Sequence, residues 1–116
     1  MNGHELLLQR IKLLEYHQKL LLKLLGNPML ELYKLIIENG ITEQEVEHFY
    51  TLCDKMSMEF EEQKAEGYVY FYPLFDELSA SLPAKLDMKE VIKACLKQEL
   101  FVPLFQEFEK YINEKD

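Results

Sequence analysis

The sequence predicts an all-α fold, a multihelical bundle, on three observations. Apolar residues recur at three- and four-residue steps through most of the chain, which is the spacing of one helix face. Gly, Pro, Asn, Thr and Asp residues fall where these stretches begin and end, as helix caps and stops do. The single β-branched and aromatic run, Tyr68 to Tyr72 (YVYFY), has no second strand-like segment to pair with, and an isolated strand is not stable.

The stretch Glu5 to Leu25 carries the most apolar surface and organises the rest. At about 100° per residue, Glu5, Gln9, Lys12, Glu15, Lys19 and Lys23 gather into one polar stripe. Leu6, Leu13, Leu20 and Leu24 line one edge of the apolar arc, and Leu7, Ile11, Leu14, Leu21, Leu22 and Leu25 line the other. This arc is wider than the roughly 100° stripe that a core-facing helix needs, so the helix is expected to touch partners on two sides. Arg10 and His17 sit seven residues apart within it, and Gln18 also interrupts it. Buried polar groups are costly without partners, but a polar residue at a heptad core position sets register and oligomer number. The alternative is that Arg10 and His17 reach past the leucines into solvent.

Gly26, Asn27 and Pro28 read as a stop and restart, with Gly26 past the helix end, Asn27 as cap and Pro28 at the first position of a second helix. That helix, Pro28 to Asn39, places Met29, Leu32, Tyr33, Leu35, Ile36 and Ile37 opposite Glu31, Lys34 and Glu38, and Gly40 ends it. Thr42 with Glu45 three residues on is a capping box. It opens a third helix running from Glu43 towards Glu66, whose stripe is Val46, Phe49, Tyr50, Cys53, Met56 and Phe60. At 1.5 Å per residue this helix reaches about 35 Å, the scale of the first, so the two are expected to pack together as the long ribs of the fold.

Gly67 ends the third helix, and Tyr68 to Tyr72 is expected to be an extended, buried connector. Pro73 opens a short helix over Leu74, Phe75, Leu78 and Leu82, which Pro83 closes. Asp87 and Glu90 mark another helix start, with Val91, Ile92, Cys95 and Leu96 as its apolar face and its end near Gln98. Pro103 punctuates a last helix with Leu104, Phe105, Phe108, Tyr111 and Ile112 as its stripe. Six helical segments with short connections make a bundle.

Composition bounds the function. With 116 residues the chain is expected to be one domain, residues 1–116, burying about two-thirds of its unfolded surface. Being 48% hydrophobic and 29% charged, it is of globular rather than disordered or membrane type. No apolar run approaches 18 residues, and the amino terminus lacks a basic region followed by an apolar run, so a cytoplasmic location is expected. The net charge of -8 is uneven: residues 1–35 hold five Lys/Arg against three Glu, and the remainder eight Lys against eighteen acids. An acidic surface disfavours nucleic acid, whose affinity comes from cations neutralising phosphates. Cys53 and Cys95 form no CxxC pattern and are expected to be reduced thiols.

Four local patterns bear on chemistry, each with a plainer structural reading. Glu45 and His48 form a Glu-x-x-His pair, the spacing used in di-iron bundles. No second copy accompanies it, so no metal or other cofactor is expected and the pair is a weak candidate. The corner LIIENGITEQEVEHF has the form of a helix-turn-helix, but its second helix leads with Glu43, Gln44, Glu45 and Glu47, which would face phosphates. Glu59, Glu61, Glu62 and Glu66 read as a solvated helix face. The aromatic connector reads as core filling before a ligand pocket. With three Ser, two Thr and no GxSxG, nothing assembles a nucleophile, and the chain is not expected to be an enzyme.

Several stretches carry a resemblance when taken together: Arg10-Ile-Lys-Leu-Leu-Glu15-Tyr16, Gly40-Ile-Thr42-Glu-Gln-Glu45, Gln63-Lys-Ala65-Glu-Gly67-Tyr-Val69-Tyr-Phe71, Lys85-Leu-Asp87 and Gln98-Glu-Leu100. Over nearly its whole length the chain resembles the YhaI-like family of small uncharacterised helical proteins from Bacillus-type bacteria. The resemblance implies an all-helical subunit intertwined in a cytoplasmic homo-oligomer, with a trimer favoured, and no assigned catalytic residues. Where relatives tend to have Gly between Gln and Leu, this chain has Glu99, so the turn there lacks an easy left-handed residue.

The function expected from these readings is an oligomeric helical scaffold or regulatory protein-interaction module, with Leu7, Arg10, Leu14, His17 and Leu21 at the self-interface. The alternatives are a small-ligand or metal-binding bundle using Glu45 and His48, and a DNA-binding regulator. The latter would need a basic face from Arg10, Lys12, Lys19, Lys23 and Lys34.

Overall fold

Six α-helices form among the described residues of the computed structural model, which are 2–27 and 29–115. They are α1 (Gly3–Gly26), α2 (Glu31–Glu38), α3 (Glu43–Ala65), α4 (Tyr72–Ser81), α5 (Met88–Lys97) and α6 (Val102–Lys115). Local chemistry sets most of their ends. The Asn2 side chain accepts from the Glu5 N–H at 2.8 Å and starts α1. The Thr42 and Glu45 capping box closes with both bonds at 3.1 Å. Asp87 accepts from the Glu90 N–H at the head of α5.

Three helices end in the same device, in which two successive N–H groups fold back onto carbonyls of the last turn. After α2, Gly40 (φ 62°) lets the Ile41 N–H reach the Ile36 carbonyl. After α3, Gly67 (φ 97°) does the same for Tyr68 and Gln63. After α5 the left-handed residue is Glu99 (φ 62°), with the Leu100 N–H on the Cys95 carbonyl at 2.8 Å. The turn is therefore built without glycine, at the steric expense of a Cβ in the left-handed region.

The stop between α1 and α2 differs from expectation. Gly26 is the last helical residue, and Asn27 is the cap, its extended backbone (φ -154°) donating to the Leu24 and Lys23 carbonyls. The expected role of Pro28 lies outside the described residues. The second helix begins at Glu31, and no local side chain caps it. Instead the Gln98 side chain, arriving from the end of α5, accepts from the Leu32 N–H at 2.9 Å.

The core gathers the predicted stripes. Val46, Phe49, Cys53, Met56 and Phe60 of α3 are buried, as are Leu74, Phe75 and Leu78 of α4, Val91, Ile92 and Cys95 of α5, and Leu104, Phe105, Phe108 and Tyr111 of α6. Aromatic rings meet edge-on, Phe60 on Phe71 at 4.7 Å and Phe75 on Phe108 at 5.7 Å, the arrangement their quadrupoles favour. α5 packs between α2 and α6, and α3, α4 and α6 close the other side.

Two expectations are corrected here. The connector is non-helical as far as Phe71 but not buried as a whole: Val69 is 89% exposed, Tyr68 and Tyr70 are also open, Phe71 enters the core, and Tyr72, the first residue of α4, is half-buried against it. Phe75, Phe108 and Tyr111 of α4 and α6 fill the volume beneath, and the Tyr70 and Tyr72 rings lie against Tyr111 at its margin. Nor do α1 and α3 form paired ribs. α1 lies chiefly along α2, whose 8 residues span about 12 Å against about 36 Å for the 24 residues of α1. The amino-terminal half of α1 therefore projects as an arm. The shape agrees: the radius of gyration is 16.0 Å, against about 13 Å for a compact domain of this length.

Candidate functional site

The carboxy-terminal half of α1 is held on one side only. Leu20 is buried, and Leu13, Tyr16 and Leu24 are half-buried. His17, 8% exposed, lies among them, its Nε2 at 3.0 Å from the Ile41 carbonyl. A carbonyl oxygen only accepts, so the ring must carry its hydrogen on Nε2. Beside it, the Tyr16 ring stands 5.9 Å from the imidazole. Burial, reinforced by Glu43, pushes the Tyr16 phenol up to about 12. Lys23 Nζ sits 5.6 Å from the Tyr33 ring centroid of α2, a cation–π contact that helps seat the helix.

The opposite side is open. Leu7 is 58%, Leu14 64%, Leu21 48% and Leu25 84% exposed, and Leu8, Ile11 and Leu22 are exposed with them. Single exposed leucines are ordinary, but contiguous apolar faces of this length are uncommon on monomeric proteins, and this one runs along α1. The apolar arc read from the sequence thus divides along its length. Leu13, Leu20 and Leu24 are covered by the subunit, while Leu7, Ile11, Leu14, Leu21, Leu22 and Leu25, together with Leu6 of the first edge, are left exposed.

Of the five expected interface residues, the structure brings Leu7, Leu14 and Leu21 together on this open face and leaves Arg10 exposed at its margin. His17 is the exception. Its ring is turned into its own subunit by the Ile41 bond, two turns further along the same edge of the helix as Arg10. Ile11 and Leu25 belong to the open face as fully as the named leucines. The signal for them was present, since both lie on the same edge of the arc.

Glu45 and His48 border a shallow cleft of about 310 Å³ between the start of α3 and the end of α4, with Gln44, Ser81 and Pro83. The Glu45 carboxylate is occupied there as the acceptor for the Thr42 N–H. Among the described residues no three His, Cys, Asp or Glu side chains converge as a metal ion would require. The α2–α3 corner turns at Gly40 and presents exposed Glu43, Gln44 and Glu47, an acidic edge. Cys53 and Cys95 are fully buried. Burial pushes the Cys95 thiol up to about 12, and Cys53 is raised further by burial and by Cys95 beside it, so neither offers a thiolate near neutrality.

No helix among the described residues is long and apolar enough to cross a membrane. A family model described as a protein of unknown function (DUF1878) matches residues 4–113. The chain belongs to the DUF1878 family. The match takes in the projecting arm together with the bundle, so the open face of α1 is part of the DUF1878 unit rather than an appendage to it.

Proposed function

We propose that the protein is a non-enzymatic, homo-oligomeric helical scaffold or protein-interaction module of the cytoplasm, assembled through the arm of α1. The observation that carries this reading is the row of exposed leucines on a helix that its own subunit covers on one side only. Burying a leucine side chain is worth about 1.5–3 kcal/mol, so several per copy supply an ample drive for association. A trimer is the favoured state: Leu8 and Leu22 widen the open face beyond a single seam, which suits contact with two neighbours. The narrower resemblance to YhaI-like proteins of Bacillus-type bacteria points the same way.

Light scattering at micromolar concentration tests the proposal. The expected mass is a multiple of 13.9 kDa, and a monomer would defeat it. Leu14→Glu places a charge on the open face without touching the core. It should dissociate the assembly while circular dichroism stays helical.

A metal- or ligand-binding role has less behind it, because the carboxylate of Glu45 is already engaged in the capping box. A DNA-binding role would have to use Arg10, Lys12, Lys19, Lys23 and Lys34, against an acidic corner and a net charge of -8.

A further inference from the structure

We propose that the cleft between the arm and the α2–α3 corner binds a free basic α-amino acid of the lysine type, its carboxylate on Lys12 and Tyr16 and its two ammonium groups on Glu43 and Glu47. The inference goes beyond self-association and uses a different side of α1. The cleft measures about 480 Å³ and is lined by Lys12, Leu13 and Tyr16 of α1 and by Glu43 at the start of α3. That volume is in the range of small-molecule sites. At about 100° per residue, Lys12, Leu13 and Tyr16 centre on the side of α1 opposite Leu7, Leu14 and Leu21, so a ligand here leaves the exposed leucines free.

The two walls complement such a molecule. Lys12 on one and Glu43 on the other take part in no ion pair among the described residues, so both charges remain available. Lys12 and Tyr16 stand four residues apart and therefore on one face, where an ammonium and a phenol both donate to a carboxylate. The phenol keeps its hydrogen near neutrality, because burial first, and then Glu43, Tyr33 and Glu47, push it up to about 12. Leu13, half-buried beside them, offers an apolar contact for a methylene chain. On the facing side Glu43 and Glu47 are exposed and again four residues apart, with about 5–6 Å between their Cβ atoms. That spacing is within the span of the two ammonium groups of lysine. One cation against two carboxylates selects a ligand with one carboxylate and two cations, in keeping with the net charge of -8. The site draws nothing from Glu45 and His48, which border the other cleft.

Amide NMR titration of the full chain with three related compounds tests each contact. L-Lysine is expected to bind and to shift amides within residues 9–16 and 42–47. L-Norleucine, which lacks the second ammonium, and cadaverine, which lacks the carboxylate, should each bind about threefold to tenfold more weakly, the factor that an exposed ion pair supplies. Norleucine equal to lysine would overturn the role of the second carboxylate, and cadaverine equal to lysine that of Lys12 and Tyr16. No saturable shift with lysine would overturn the site as a whole.

Substitution separates a built site from the general attraction of a cation to an acidic chain. Glu43→Gln and Lys12→Gln, on exposed side chains, should each weaken L-lysine binding by a similar factor with circular dichroism unchanged. Glu62→Gln, near the far end of α3, removes an equal charge and should leave the affinity as it is. A loss at Glu62 equal to that at Glu43 would overturn the site and leave only an effect of net charge. Light scattering on the same samples keeps the two proposals apart: the assembly is expected to persist with or without lysine, so a monomer would overturn self-association alone.

Discussion

His17 on α1 donates from Nε2 to the carbonyl of Ile41 at 3.0 Å, across 24 residues of chain. The acceptor lies just past the turn that ends α2, so this bond ties the base of the arm to the α2–α3 corner. Both groups are buried, where a lost partner is not replaced by water. His17→Ala should therefore lower unfolding stability by about 1–3 kcal/mol, read by urea denaturation. Arg10→Ala, on an exposed side chain, should change the stability of the subunit by no more than about 0.5 kcal/mol. Equal losses at the two positions would show that His17 has no special role in seating the arm.

Tyr111 performs a similar task at the other end of the bundle. Its hydroxyl accepts from the Phe71 N–H at 2.8 Å and donates to the Glu107 carboxylate at 2.8 Å. Through the first bond the one buried residue of the connector is pinned. Tyr111→Phe keeps the ring contacts but orphans a buried N–H, at a cost of about 1–3 kcal/mol. Amide exchange at Phe71 should accelerate in the variant, and an unchanged rate there would contradict the pinning role.

Glu99 holds a left-handed backbone (φ 62°) after α5. Glycine adopts that conformation without the Cβ penalty. The unfolded chain gains freedom from the same change, which offsets part of the benefit. Glu99→Gly should raise stability by about 0.5–1 kcal/mol, seen as a higher melting temperature. A lower one would mean that the Glu99 side chain contributes more than its strain removes.

Stability should fall in alkali. Burial holds the phenols of Tyr16 and Tyr111 up at about 12, above the ordinary value of 10.0. Below pH 10 both states keep these protons and the fold is unaffected. Between pH 10 and about 12 the unfolded chain releases them while the fold retains them, so unfolding free energy decreases with pH. Urea titrations at pH 8, 10 and 11 should show the decline beginning above pH 10. Tyr111→Phe should make it shallower, and an identical slope in that variant would exclude Tyr111 as a source.

Which parts of the molecule were legible depended on how far apart the interacting residues lie in the chain. The capping box of Thr42 and Glu45, the Asp87 start of α5 and the α3 stripe from Val46 to Phe60 all involve residues within a turn or two of each other. Their spacing is therefore written in the order of residues. Gln98 capping α2, across 66 residues, and Tyr111 holding Phe71, across 40, have no local signature, because any polar side chain on the right face would serve. The exposure of Tyr68 to Tyr70 was missed for a related reason. Aromatic composition reports a tendency to be buried, while the room available depends on what α4 and α6 have already placed there.

The sequence alone determined that this chain is helical, where most of its helices begin and end, and that α1 has more apolar circumference than one neighbour can cover. Those properties follow from periodicity and capping, which act over a few residues. Only the tertiary structure decided which half of that circumference the subunit keeps. α2 is too short to follow α1 along its length, and His17 turns inward to Ile41. The row from Leu7 to Leu25 is left facing outward because α3, the one other helix of comparable length among the described residues, packs instead on α4 and α6.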